Sequence, residues 1–154
     1  PVMSAGSTRT APFGLDLPMG RAQPSAVRTV IAIVVAVVGS IAACAVLAAL
    51  GPIVFPRTVG YEHYAFADYA KLTTIGVIGA GIGWPIVTLF STRAARLYLW
   101  LAIIVTVVSF APDLWIWWKG QDGQAVFVLI VMHVAVAAVT YPAMVLIAPQ
   151  RRRA

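Results

Sequence analysis

The chain has 154 residues, 61% of them hydrophobic and 10% charged, with a mean hydropathy of +0.91. A soluble domain carries about 45–50% apolar and about 25% charged residues, so one small globule has no interior for this surplus, and a bilayer does. The net charge of +6 flanks apolar runs, and no soluble stretch interleaves basic with aromatic residues, which excludes a nucleic-acid surface and suits anionic lipid headgroups.

Residues 1–26 are rich in Pro, Gly, Ser and Thr and show no sustained apolar period, so they read as a mostly disordered tail. Residues 13–19, FGLDLPM, are its one stretch suited to touching a membrane surface or a partner, against the plainer expectation of a mobile tail. Position 1 is Pro rather than Met, so the natural start is left open. Four apolar spans follow, at 27–51, 69–90, 96–118 and 124–148, and a short basic tail closes the chain at 149–154. Each span can cross about 30 Å of hydrocarbon at 1.5 Å per residue, and each must be a helix, because lipid satisfies no backbone amide. The expected fold class is all-α, a four-helix antiparallel transmembrane bundle.

Arginine and lysine placement orients it. Arg9, Arg21 and Arg28 precede span one, Arg93 and Arg96 lie between spans two and three, and Arg151 to Arg153 end the chain. The other side has Arg57, Lys71 and Lys119 beside Glu62, Asp68 and Asp122. Both termini are therefore expected in the cytoplasm of a plasma-membrane protein.

Span one contains Ile41-Ala-Ala-Cys44, the short pattern that precedes a lipidated cysteine. The apolar run continues to Leu50, longer than the 7–15 residues of a processed signal core, so Cys44 reads as a small residue in a packed helix. One cysteine makes no intrachain disulfide and no CxxC pair, and with two distant histidines it makes no zinc site. The connection at 52–68 is the longest, with Tyr61 and Tyr64 at headgroup level. His63 beside Glu62 there is either half of an acid–base or metal site or a solvated pair.

Span two carries Gly76, Gly79, Gly81 and Gly83. Gly79 and Gly83 form GxxxG, and Gly76 repeats the interval with Ala80; span one supplies Gly39 with Ala43 and Ser40 with Cys44. Small residues let helices approach where lipid gives no hydrophobic drive, so this face is expected to pack spans one and two, or else a second copy. Pro85, Pro112 and Pro142 fall inside spans, where each removes a hydrogen bond and tends to bend the helix. Thr73, Thr74, Thr88, Thr106, Ser109 and Thr140 can bond to their own helix backbones.

Span three ends FAPDLWIWWK. Trp115, Trp117 and Trp118 read as an interfacial belt, with Asp113 about 7–8 Å deeper. Pro112 leaves the Val108 carbonyl unpartnered, and an acid is favourable where a helical turn restarts. In span four His133 lies about 13 Å from the same boundary, roughly one helical turn from Asp113 in depth. Lys71 is another candidate partner for Asp113. Such groups inside a span are costly and usually face the bundle interior. The pair is either a lock between spans three and four, or a proton-responsive, headgroup or quinone contact. No HExxH, phosphate loop or Ser/His/Asp set is present, so the expectation is no enzyme, cofactor or metal.

The stretches SFAPDL at 109–114, MHVAVAAVT at 132–140 and TIGVIGAGIGW at 74–84 resemble the signature segments of a family of small actinobacterial four-helix membrane proteins of unknown function. The resemblance covers about residues 27–148, and Asp113 and His133 fall on the family's polar positions. It implies a fold and no mechanism. Three readings stand at this point: a non-enzymatic accessory or scaffold subunit of a membrane or envelope complex, packed on a protein partner or a second copy; a small oligomeric transporter or channel using Asp113 and His133; and an outer-leaflet lipid or quinone binder.

Overall fold

The computed structural model describes residues 23–151. The tail expected before them, including the stretch at 13–19, and Arg152 and Arg153 lie outside the described residues. Four helices account for nearly all the rest: α1 (Ala26–Val54), α2 (Phe66–Phe90), α3 (Ala94–Trp118) and α4 (Gly123–Ile147). Among the described residues there is no strand, and all four helices are long and apolar enough to cross a membrane. The ends fall close to the expected boundaries. The largest departures, at Val54 and Phe66, shorten the expected 52–68 connection. Pro52 lies inside α1 because near a helix end it costs one hydrogen bond only, and the Phe55 amide then closes on Gly51 O at 2.7 Å. Two short 3₁₀ turns, Pro56–Thr58 and Glu62–Tyr64, carry the chain across to α2.

The helices are apolar all round, so a polar face does not decide which side turns inward. Size does. On α1 the buried stripe is Ala32, Ala36, Ser40 and Cys44, one small residue every four, while Val30, Val34, Val38 and Val46 point outward. That spacing keeps one row of a helix on one face, and small side chains let the neighbouring backbones close in. Helix α1 thus has α4 on one side and α2 on the other, and α3 attaches to α4. The α1–α4 seam includes Ser40 Oγ at 3.4 Å from Thr140 Oγ1; a Cβ on Gly39 would come within 2.9 Å of Val139. The α1–α2 seam includes Cys44 Sγ at 3.8 Å from Thr73 Oγ1.

The glycine face of α2 departs from expectation. Gly76, Gly79 and Gly83 do not pack on α1: a Cβ at any of them would meet nothing within 4 Å. Gly81, outside the GxxxG pair, is the one against α1, where a Cβ would overlap Ile33. The reason is helical phase. Gly81 shares a face with the buried Thr73, Val77 and Trp84, whereas positions 76, 79 and 83 lie around the helix from it. Gly39 likewise serves α4 rather than α2.

Both described ends of the chain lie at one end of the bundle. Arg28 Nε donates to Ile147 O at 2.7 Å, Trp84 Nε1 to Ala148 O at 2.7 Å, and Gln150 Nε2 to Ser91 O at 2.6 Å. These bonds satisfy carbonyls that the end of α4 and the α2–α3 turn leave without helical partners. At the opposite end Asp122 caps α4, accepting from the Gln124 and Ala125 amides, and pairs with Arg57 at 3.2 Å.

Gly81→Ala is expected to cost about 1–3 kcal/mol, because the new methyl is forced into Ile33, while Gly79→Ala is expected to cost nothing. Tryptophan-monitored unfolding of both variants in the same detergent checks the difference.

Candidate functional site

Helices α2 and α3 are joined by the short turn at residues 91–93 and bridged near it by Tyr98, whose hydroxyl donates to Ala80 O at 2.8 Å. Beyond that bridge they scarcely touch. Between them runs a cleft of about 810 Å³, floored by α4 and by Cys44 of α1. Gly76, Gly79 and Gly83 form part of its α2 wall, Val105 and Thr106 part of its α3 wall, and His63 and Asp68 stand at its mouth. The lining on α2 runs from Tyr69 to Val87, about 27 Å along the helix axis. The lining is overwhelmingly apolar.

Most of its hydroxyls are already engaged. Ser109 Oγ donates to Thr106 O at 2.6 Å, and the Tyr141 hydroxyl donates to Ala95 O at 2.9 Å. Thr140 faces Ser40, and Thr73 faces Cys44, so these two cross between helices rather than bonding backward along their own.

Asp113 and His133 are ionisable groups in the same lining. Asp113 is buried, 7% exposed, in an α3 that continues unbroken through Pro112; no new helix starts there for the acid to cap. It meets His133 of α4, with Oδ2 3.0 Å from Nδ1. The same Nδ1 hydrogen-bonds to Leu129 O at 2.9 Å, one turn back on α4. The carboxylate oxygen lies within ion-pair range but off the N–H axis and has no hydrogen-bond partner among the described residues. The roughly one-turn depth offset expected from the sequence is bridged by the two side chains. Lys71 is exposed and forms no ion pair among the described residues, so Asp113 and His133 come together and Lys71 stays apart.

The loop at 55–65 covers this end. Tyr61 and Tyr64 do not project to a surface: their rings pack edge to face at 5.1 Å, against the cluster of Cys44, Leu129 and Met132, with both hydroxyls buried and without hydrogen-bond partners among the described residues. A Cβ at Gly51 would come within 3.0 Å of the Tyr64 ring, so that glycine is what admits it. Burial, and then the charge of Glu62, push the Tyr61 phenol up to about 12; Asp113 is among the further charges it feels. His63 pairs with Asp68 at 2.7 Å and with Glu62 at 3.7 Å, yet among the described residues no group of three or more His, Cys, Asp and Glu could hold a metal. Trp115, Trp117 and Trp118 are exposed on the outside of α3, with the Lys119 ammonium 4.8 Å from the Trp115 ring centroid.

Sequence reasoning missed Gly81 and Tyr98. Gly81 was masked by its neighbours in the GxxxG pattern; Tyr98 carried a signal, a phenol inside a span whose hydroxyl must find a backbone acceptor.

The fold and site together define a small all-α, multi-pass membrane protein with a lateral intramembrane cleft. The chain belongs to the family of unknown function DUF6069, whose model matches residues 20–149. No curated protein and no solved structure matches it.

Two outcomes are expected of this site. His133→Leu leaves the Asp113 carboxylate buried and unpaired, and should cost about 3 kcal/mol. Asp113→Leu costs less, because Nδ1 keeps Leu129 O, and the double variant recovers most of the loss; a double-mutant cycle measures this. Secondly, a folded Tyr61 holds its proton to about 12 while an unfolded one releases it near 10. The unfolded chain thus sheds protons first: the stabilisation is complete below about pH 10 and is lost as pH rises through about 12. Tyr61→Phe should remove one phenol's share of the high-pH absorbance change in an ultraviolet titration.

Proposed function

We propose that the protein is a plasma-membrane protein, with both termini cytoplasmic, that binds one long-chain amphiphile in the α2–α3 cleft and performs no chemistry on it. The observation that carries this reading is a cleft apolar for most of its length with an acid–histidine pair toward one end. An apolar tail and a polar head need that asymmetry. The axial length of about 27 Å is close to the thickness of a hydrocarbon core, about 30 Å. The arginine distribution supports the orientation, which sets the polar end toward the outer leaflet and the tryptophans of α3 at its boundary.

The cleft's volume, about 810 Å³, falls in the range of small-molecule sites. The accessory-subunit reading keeps one specific support: Gly76, Gly79 and Gly83 would let a partner's helix, or a second copy, lie shallowly along the same opening. The transport reading rests on the same Asp113 and His133, and a single acid–histidine pair supports holding a ligand better than driving a flux.

Native mass spectrometry of the protein extracted gently from its own membranes decides between these. The expected spectrum shows one amphiphile per chain, reduced about tenfold in occupancy by Gly79→Phe, whose ring fills open space in the cleft. A chain carrying no small molecule but bound stoichiometrically to another polypeptide would overturn the reading in favour of the subunit.

A further inference from the structure

The hydrogen bonds of His133 restrict which head the cleft can recognise. Leu129 O, 2.9 Å from Nδ1, is a carbonyl and can only accept. Nδ1 must therefore carry a hydrogen. In a neutral imidazole the other nitrogen, Nε2, is then a bare acceptor. Nε2 has no protein partner among the described residues, and the side chain, 38% exposed, lines the cleft. Behind it Asp113 Oδ2, on a side chain only 10% exposed, is a second acceptor without a hydrogen-bond partner among the described residues. With the ring neutral, Nε2 and the sealed Oδ2 therefore both accept. An acceptor left unpaired in an apolar site is costly, so a ligand that fills the cleft without bringing a donor strips the hydration of His133 and gains nothing in return.

Three kinds of head can be compared on this basis. A carbonyl-only head, as in an ester or a quinone, presents an acceptor to an acceptor. An ammonium head donates, but it is strongly hydrated and would have to leave its water well inside the hydrophobic span. A hydroxyl head donates one hydrogen and loses little hydration. From this we infer that the amphiphile carries a hydroxyl, aliphatic or phenolic, which donates to Nε2 of His133. Its chain runs from there toward Tyr98, past Val105, Val136 and Ala137. From His133 to Tyr141 this leaves about 12 Å of α4 beside the chain. Asp113 acts as a positioning residue, holding the ring from behind and stabilising it when it gains charge. The inference rests on the amphiphile reading above and adds the chemistry of the head.

The test is a matched series of probes added to the purified full chain in lipid nanodiscs: tetradecan-1-ol, its methyl ether, and 4-tetradecylphenol. Binding is read by native mass spectrometry and by ¹⁵N NMR of the histidine rings. At least one of the two hydroxyl probes should bind about tenfold more tightly than the ether, and it should shift the Nε2 resonance of His133 while the ether does not. The stronger hydroxyl probe distinguishes an aliphatic from a phenolic head. His133→Phe, which keeps a ring in place, should bring every probe to the level of the ether. Equal binding of alcohol, phenol and ether overturns the hydroxyl inference while leaving the amphiphile reading standing. No binding of any probe overturns both. The wild-type spectrum supplies a check that no variant can confound: without ligand, and with the ring neutral, the hydrogen must be on Nδ1, and the opposite tautomer contradicts the inference.

Discussion

The row of small residues on α1 is the constraint on which the rest depends. Ala32, Ala36, Ser40 and Cys44 allow two neighbours, α2 and α4, to close on the same helix. In lipid this matters more than it would in water, because apolar side chains gain little by leaving hydrocarbon and the gain comes from close contact. With both neighbours drawn to α1, α3 leans mainly on α4. The space between α2 and α3 is what remains, held at one end by a short turn and the Tyr98 bond. The cleft thus follows from the distribution of small residues, and needs no separate device to keep it open.

A second constraint acts inside that space. Polar atoms in a membrane interior must find partners or lose several kcal/mol each. Around the cleft most hydroxyls meet this by bonding to a carbonyl of their own or a neighbouring helix, or to one another across a seam. Asp113 and His133 meet it only in part. One nitrogen hydrogen serves two acceptors, and geometry gives it to Leu129 O, leaving the carboxylate in ion-pair contact without a hydrogen bond. A pair whose only task was to lock α3 to α4 would gain from aligning that bond. His133 presents its ring to the cleft while the Asp113 oxygen stays sealed behind it, which is why the same two residues carry the functional reading.

Much of the architecture was legible in the sequence, for a physical reason. A span needs an uninterrupted apolar run and a helix, so the boundaries of α1 to α4 follow from composition and length alone. Asp113 and His133 were legible as well, since ionisable residues in a span are rare and costly. The pairing partner was left open because depth along an axis does not fix rotation about it. Rotation is also what hid the cleft. Gly76, Gly79, Gly81 and Gly83 look alike in sequence, yet only Gly81 meets α1, and the phase that separates them comes from tertiary packing. The tyrosines of the 55–65 loop were read as headgroup residues by their level. They fold back instead, because Gly51 leaves room for the Tyr64 ring beside α1.

The central claim is that α2 and α3 stand apart in the bilayer while α1 and α4 are in contact. Oxidative crosslinking in native membranes tests it most directly, with Cys44 replaced by alanine. The pair Ser40→Cys with Thr140→Cys, at positions whose hydroxyls are 3.4 Å apart, should form a disulfide readily. The pair Gly76→Cys with Thr106→Cys, on opposite walls of the cleft, should resist direct oxidation and be joined only by a longer bifunctional reagent. Rapid direct disulfide formation between positions 76 and 106 would mean that the two helices close on each other, and the account of the cleft would be wrong.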